Sequence, residues 1–310
     1  HMDGVLAARA DYRWHGCDIS SALPLGFASV GSATEALASL RVDHDAGLGM
    51  PTSALLRESR FTGYRLHADG ADACWLVRDS DRMHLTREQI RLTPAPAISD
   101  ELEYLRTRAL ALWLHLVGLH PIHASAVAKN GRAVALVGDS GAGKSTLAAA
   151  MACLDYQILA DDLLPLGIRQ GVVPVYPGAR TLRLWPDSAG HFHAHPASLP
   201  RVTEASEKRE LVVAAAPSAV PHLRAVFLLN RALPTAEIAI EALPASKALL
   251  ALIANGQMAG PAELLGLGGA RLRAYTEVLR HVRVFSLHYP ADYARLPEVC
   301  ARLDAHLQSS

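Results

Sequence analysis

The stretch Val137-Gly138-Asp139-Ser140-Gly141-Ala142-Gly143-Lys144-Ser145-Thr146 sets the fold expected of this chain. An apolar run, Ala133-Val134-Ala135-Leu136-Val137, leads into it, and an alanine-rich segment from Ser145 to Leu154 follows. The order is therefore strand, glycine loop, helix. Each position of the pattern G-x-x-x-x-G-K-[ST] has a mechanical reason. Gly138, Gly141 and Gly143 let backbone N–H groups approach phosphate oxygens with no Cβ in the way. The helix starting near Lys144 turns its positive dipole end to the same place. Lys144 supplies a compact charge for β- and γ-phosphates, and the Ser145 hydroxyl is a Mg²⁺ ligand. The spacing predicts that a nucleoside triphosphate is held by Gly138, Asp139, Ser140, Gly141, Ala142, Gly143, Lys144, Ser145 and Thr146.

Downstream, Tyr156-Gln157-Ile158-Leu159-Ala160 reads as a second strand, closed by Asp161 and Asp162. The unit is βαβ, in which ligands gather at the carboxyl edge of the sheet. Adjacent acids in that place act as a Walker B element, although aspartates also cap helices and end strands. As a site they divide the work: one holds Mg²⁺, often through water, and the other accepts the proton of an attacking hydroxyl. Doubling the acid favours a kinase over a motor ATPase. Further strands are expected at 172–175, 181–184, 223–229 and 236–240, and helices at 246–255 and 296–307. His123, just ahead of the strand that feeds the loop, is either a satisfied turn histidine or part of the site.

The first third carries short β-like runs broken by turns, among them Tyr12-Arg13-Trp14, the stretch from Arg60 to Leu66, and Ala73-Cys74-Trp75-Leu76-Val77. Thr93-Pro94-Ala95-Pro96 reads as a linker. Ser99-Asp100-Glu101 then opens a helix with apolar residues at helical spacing up to Gly118. The expected organisation is a small β-rich accessory domain over 1–97 that docks a peptide, and an α/β (α+β) catalytic domain over 98–310, with 98–118 as a connecting helix.

The 30 basic and 30 acidic residues balance to a formal net charge of zero, which argues against a general nucleic-acid binder. The scattered cysteines Cys17, Cys74, Cys153 and Cys300 have no metal-ligand spacing and suit a reducing cytoplasm. His191, His193 and His195 alternate, but no cysteine or carboxylate joins them at ligand spacing, so a solvated loop is expected there. No apolar run reaches transmembrane length. His1-Met2-Asp3 reads as an expression scar without the apolar core of a signal peptide.

The run from His123 to Val127, the loop Gly-Asp-Ser-Gly-Ala-Gly-Lys-Ser at 138–145 and the ending Ala160-Asp161-Asp162 resemble the catalytic core of HPr serine kinase/phosphorylases. The resemblance covers about residues 119–166. It implies a P-loop kinase fold related to phosphoenolpyruvate carboxykinase, using ATP and Mg²⁺ on a serine hydroxyl. By position it implies Lys144 on phosphate, Ser145 and Asp161 on the metal side, Asp162 as base, and His123 as an active-site histidine. The stretch 177–187 lacks the family's metal-binding glutamate, which speaks against HPr as substrate and against the reverse phosphorylase reaction. Arg231 is the positional match for the family's later catalytic arginine. Tyr12-Arg13-Trp14-His15-Gly16, Leu116-Val117-Gly118-Leu119-His120-Pro121, Pro177-Gly178 and Leu184-Trp185-Pro186 resemble the HPr-kinase-like proteins of peptide biosynthetic clusters. Some of these phosphorylate the C-terminal serine of lasso-peptide precursors. That likeness implies a serine-containing precursor peptide as partner, with Lys208 and Arg209 contacting a phosphate or a peptide carboxylate unless they form a solvated charge run. A homo-oligomer is compatible with the family.

Overall fold

A computed structural model describes residues 9–29, 35–58, 63–94, 98–178, 181–203, 206–212 and 219–309. Arg60, Phe61 and Thr62, the linker residues Ala95 and Pro96, the tripeptide His1-Met2-Asp3, and Ala179 and Arg180 lie outside the described residues. The chain divides into two compact units. One comprises 1–119 with the later segment 258–270, and the other comprises 120–257 with 271–310. The boundary expected at 97/98 therefore moves to 119/120, and the helix over 98–118 goes with the first unit.

The first unit contains β1 (Ala10–Trp14), β2 (Cys17–Ser21), β3 (Ala28–Ser29), β4 (Ser39–His44), β5 (Leu55–Glu58), β6 (Arg65–Ala68), β7 (Cys74–Arg78), β8 (Asp81–Leu85) and β9 (Gln89–Leu92). These form a single sheet in the order β3-β1-β2-β4-β9-β8-β7-β6-β5. Helix α1 (Ile98–Tyr104) continues through a π-turn at Leu105–Ala109 into α2 (Leu110–Leu116). Every residue of α2 is buried, and the Trp113 indole N–H donates to the Arg87 carbonyl at 2.9 Å. A helix apolar all round is a core helix, which is why this segment belongs to the first unit rather than acting as a connector.

The second unit begins with β10 (His120–Ile122), β11 (Ala124–Lys129), β12 (Arg132–Val137), α3 (Lys144–Ala152), β13 (Gln157–Ala160), β14 (Leu164–Leu166), β15 (Thr181–Leu184), α4 (Pro186–Phe192), β16 (Arg209–Val212), β17 (His222–Ala232), β18 (Ala239–Ala242) and α5 (Ala245–Ala254). After α6 (Ala259–Leu264) of the first unit come α7 (Gly268–Val278), β19 (Arg283–Pro290) and α8 (Leu296–Gln308). Six strands make its main sheet in the order β13-β11-β12-β17-β19-β18. β12, β17 and β19 run parallel, whereas β11 is antiparallel to both of its neighbours. The expected βαβ unit thus has β12 and β13 pointing the same way, with β11 inserted between them. A strand at 172–175 does not form. Val173 and Val175 are buried, but Pro174 has no N–H for a ladder, and only isolated bridges remain.

Both faces of this sheet are covered. Val134 and Leu136 of β12 pack on one side with Leu147 and Met151 of α3 and Val299 and Leu303 of α8. Ala133, Ala135 and Val137 pack on the other with Leu252 of α5 and Tyr275 and Val278 of α7. Burial on two faces is why β12 reads as a continuous apolar run rather than an alternating one. Small alanines on α3 let the helix lie close to the strands, holding its first turn against the edge where β12, β13 and β17 end. Among the described residues no helix is long and apolar enough to cross a membrane.

Candidate functional site

The glycine loop leaves β12 at its carboxyl end. Gly138 has φ +145° and its N–H donates to Asn255 Oδ1 at 3.0 Å. Gly143 has φ +94° and caps α3 without any side-chain hydrogen bond. A Cβ on Gly143 would collide with the Tyr289 hydroxyl, which itself donates to the Ala142 carbonyl. Glycine is needed there for backbone conformation and for space. No acidic residue lies in the first turn of α3, so its initial N–H groups are left for an anion.

Lys144 is buried, and its ammonium folds back onto the loop, donating to the carbonyls of Gly138 at 2.8 Å and Asp139 at 3.1 Å. Burial pushes its pKa down, and the carboxylates of Asp162 and Asp161 oppose that push. Arg231, from the carboxyl end of β17, holds the loop from outside by donating to the Gly141 carbonyl at 3.1 Å.

The two acids at the end of β13 have different surroundings. Asp161 accepts from Ser125 Oγ at 2.6 Å and Ser145 Oγ at 2.8 Å on one oxygen, and from the Arg183 N–H at 2.7 Å on the other. Burial, then the neighbouring Asp162 charge, raises its pKa to about 6 against these bonds. Asp162 has φ +66°, a left-handed conformation that turns its carboxylate away from its neighbour. That carboxylate lies 3.6 Å from the Arg183 guanidinium and 4.0 Å from His123 Nε2.

His123 Nδ1 lies 2.9 Å from the Asp162 carbonyl oxygen. A carbonyl only accepts, so the neutral ring carries its proton on Nδ1 and presents the bare Nε2 to the Asp162 carboxylate. Burial first, then the Lys144 charge, lowers the His123 pKa, which keeps the ring neutral. Two proton acceptors thus face one another beside the loop, an arrangement suited to receiving a hydroxyl proton. The His123 backbone N–H donates to the Asn255 carbonyl at 2.6 Å, so one asparagine holds both this junction between β10 and β11 and Gly138. The structure places His123 between β10 and β11, beside Asp162 and in the lining of the space over the loop.

A cavity of about 290 Å³ opens over the loop. His123, Lys144, Ser145, Asp162, Arg183 and Lys208 line it, together with Ser140, Thr146, Trp185 and Arg231. Strands β15 and β16 pair with Leu184 opposite Arg209, which brings Lys208 beside Trp185, its ammonium 5.4 Å from the ring centroid. Arg209 does not line this cavity; its guanidinium donates to the Leu199 carbonyl at 3.1 Å. Lys208 precedes β16 and turns to the cavity, whereas Arg209 opens the strand and turns to Leu199. Thr146 Oγ1 lies 2.9 Å from Ser188 Oγ, which meets Tyr293 Oη at the same distance. The sequence reasoning missed Ser125, Arg183, Trp185, Ser188, Asn255, Tyr289 and Tyr293. Ser125, Arg183 and Trp185 lie in stretches it had singled out for the site, and Asn255 at the end of a helix it expected.

The alternating histidines hold no metal cluster among the described residues: His191 stacks on Tyr293, and His193 and His195 lie in the turn that follows α4.

The chain matches no protein-family model and no curated protein. Among solved structures it is similar to the HPr(Ser) kinase/phosphatase from Coxiella burnetii. The identity is 11% and the TM-score 0.30, over 61% of this chain and 97% of that one. The chemistry of the site is accordingly read from its own geometry.

Proposed function

We propose that this chain is an ATP- and Mg²⁺-dependent kinase that phosphorylates a serine hydroxyl of a peptide. The observation that carries the reading is the convergence of Lys144, Ser145, Asp162, His123 and Arg183 on one cavity at the mouth of a glycine loop. The loop N–H groups and the first turn of α3 receive the β- and γ-phosphates. Lys144 leaves the Gly138 and Asp139 carbonyls and turns to the phosphate oxygens. Ser145 Oγ and Asp161 Oδ1, 2.8 Å apart, are hard oxygen donors of the kind Mg²⁺ takes. Mg²⁺ neutralises charge on the transferring group when bound.

Asp162 accepts the serine proton, and the neutral His123 ring beside it is a second acceptor on the same line. As the serine oxygen forms its bond to the γ-phosphorus, the bond from that phosphorus to the β,γ-bridging oxygen breaks and ADP leaves with the electron pair. Arg183 and Arg231 lie where charge on the transferred group is stabilised. The exposed Trp185 and the half-buried Lys208 at the rim supply an aromatic face and a cation, suited to a peptide end bearing a carboxylate. That feature, with the sequence resemblance, favours a C-terminal serine, as in a lasso-peptide precursor. Incubation with ATP, Mg²⁺ and serine-containing peptides, followed by mass spectrometry, tests the reading. One added phosphate on a peptide ending in serine is expected. No phosphate on any such peptide, with phosphate appearing on HPr or a small alcohol, would reassign the acceptor.

A further inference from the structure

A second cavity, of about 710 Å³, lies at the opposite end of the six-stranded sheet, where the parallel strands begin. Arg132 opens β12, Arg283 opens β19, and Arg224 lies near the start of β17 between them. All three line this cavity, with Lys129 beside them and Tyr156 and Phe285 as aromatic walls. Neighbouring strands are only about 4.8 Å apart, so three guanidinium groups crowd one opening.

Local structure places Arg224 there. Ala133 pairs with Leu223 and Val134 with Ala225, so Arg224 is an extra residue in β17, a bulge. A bulge re-aims a side chain and breaks alternation. Leu223 packs against one face of the sheet and Ala225 against the other, and Arg224 is turned to the Ala225 side, where the cavity lies.

The charges are not balanced internally. Asp304 is the one carboxylate on the described wall, and it is already engaged by the Tyr156 hydroxyl at 2.7 Å and by Lys129 at 3.7 Å. Among the described residues no carboxylate forms an ion pair with Arg132, Arg224 or Arg283, and Arg132 donates only to the Leu307 carbonyl, at 3.1 Å. Arginine forks match phosphate and carboxylate oxygens in paired geometry. Like charges held together repel unless a counter-anion sits among them. The cavity volume is that of a small-molecule site.

We propose that this cavity binds a small multivalent anion carrying two or more phosphate groups, at a site separate from the glycine loop. The two anion sites lie at opposite ends of the same strands: β12 leads to Gly138, β17 to Arg231 and β19 to Tyr289.

Pyrophosphate is the probe, titrated into the full chain by calorimetry without Mg²⁺. Two sites are expected. One is lost in Lys144→Ala and kept in the double variant Arg224→Gln/Arg283→Gln; the other behaves in the reverse manner. Loss of two charge-assisted contacts should weaken the second site by about tenfold or more. Both arginines are exposed, so the double variant should fold, and circular dichroism checks that it does. A single site abolished by Lys144→Ala would overturn the proposal, as would a second site that survives the double substitution unchanged.

Discussion

Replacing Gly143 with alanine offers a test of the loop geometry that can be worked in advance. The residue sits at φ +94°, where an L side chain is strained, at about 1–2 kcal/mol. The added methyl would also strike the Tyr289 hydroxyl, while the next atoms, Arg231 Cδ and Tyr289 Cζ, lie 3.6 Å away in ordinary contact. Overpacking of that kind costs about 1–3 kcal/mol. Gly143→Ala should therefore destabilise the chain by about 2–5 kcal/mol in total. Tyr289→Phe alone removes the bond to the Ala142 carbonyl, at about 1 kcal/mol. In the double variant the collision is gone, and the backbone strain and the lost Tyr289 bond remain. Chemical denaturation of all four proteins should then give a double variant more stable than the sum of the singles by about 1–3 kcal/mol. ATP affinity should recover in the same sense. Additivity within about 0.5 kcal/mol would refute the placement of Tyr289 against the loop.

Lys144→Ala should weaken ATP binding and phosphoryl transfer together, since its ammonium has no partner in the loop other than carbonyls; calorimetry and turnover read both. Arg183→Ala should lower kcat by about 10²-fold with little change in ATP affinity, as expected for a group acting on developing charge. Activity should rise with pH through about 6, as Asp161 loses its proton and becomes a metal ligand. The same shift sets the sign for stability. A carboxyl whose pKa is raised by folding favours the folded state when protonated, so the protein free of Mg²⁺ loses stability from the usual carboxylate range up through about pH 6. Melting curves across that window should show the loss, and Asp161→Asn should remove it. Leu147→Ala, which opens a void between α3 and the sheet, should cost about 2–5 kcal/mol by denaturation.

The glycine loop, its strand and its helix were legible because each uses local chemistry: a doubly buried apolar run, glycines at positive φ, and alanines that pack flush. Asp161 and Asp162 were legible as a pair from the residues, whereas their division came only from the family resemblance. That division depends on Ser125 across one strand pairing, on the Arg183 backbone N–H, and on the left-handed turn at Asp162, all set by tertiary structure. Asn255 gives no signal in the sequence, because its role is to join two segments more than a hundred residues apart. Helix α7 was missed: it buries Arg271, Tyr275 and Val278 at helical spacing, yet one of the three is an arginine and the helix opens on two glycines. Strand β19 ends with Tyr289 against the loop, a contact that only the sheet order reveals. The boundary near residue 97 was placed by prolines, whereas the apolar residues all round α2 tie that helix to the first unit.

The most direct measurement is a single-turnover assay with ATP labelled in its γ-phosphate, Mg²⁺ and a peptide ending in serine, run on the wild type and Asp162→Asn side by side. The wild type should move the label onto the serine hydroxyl. The variant should bind ATP with similar affinity and transfer nothing. Transfer by Asp162→Asn at close to the wild-type rate, or release of the label only as inorganic phosphate in both proteins, would contradict the account.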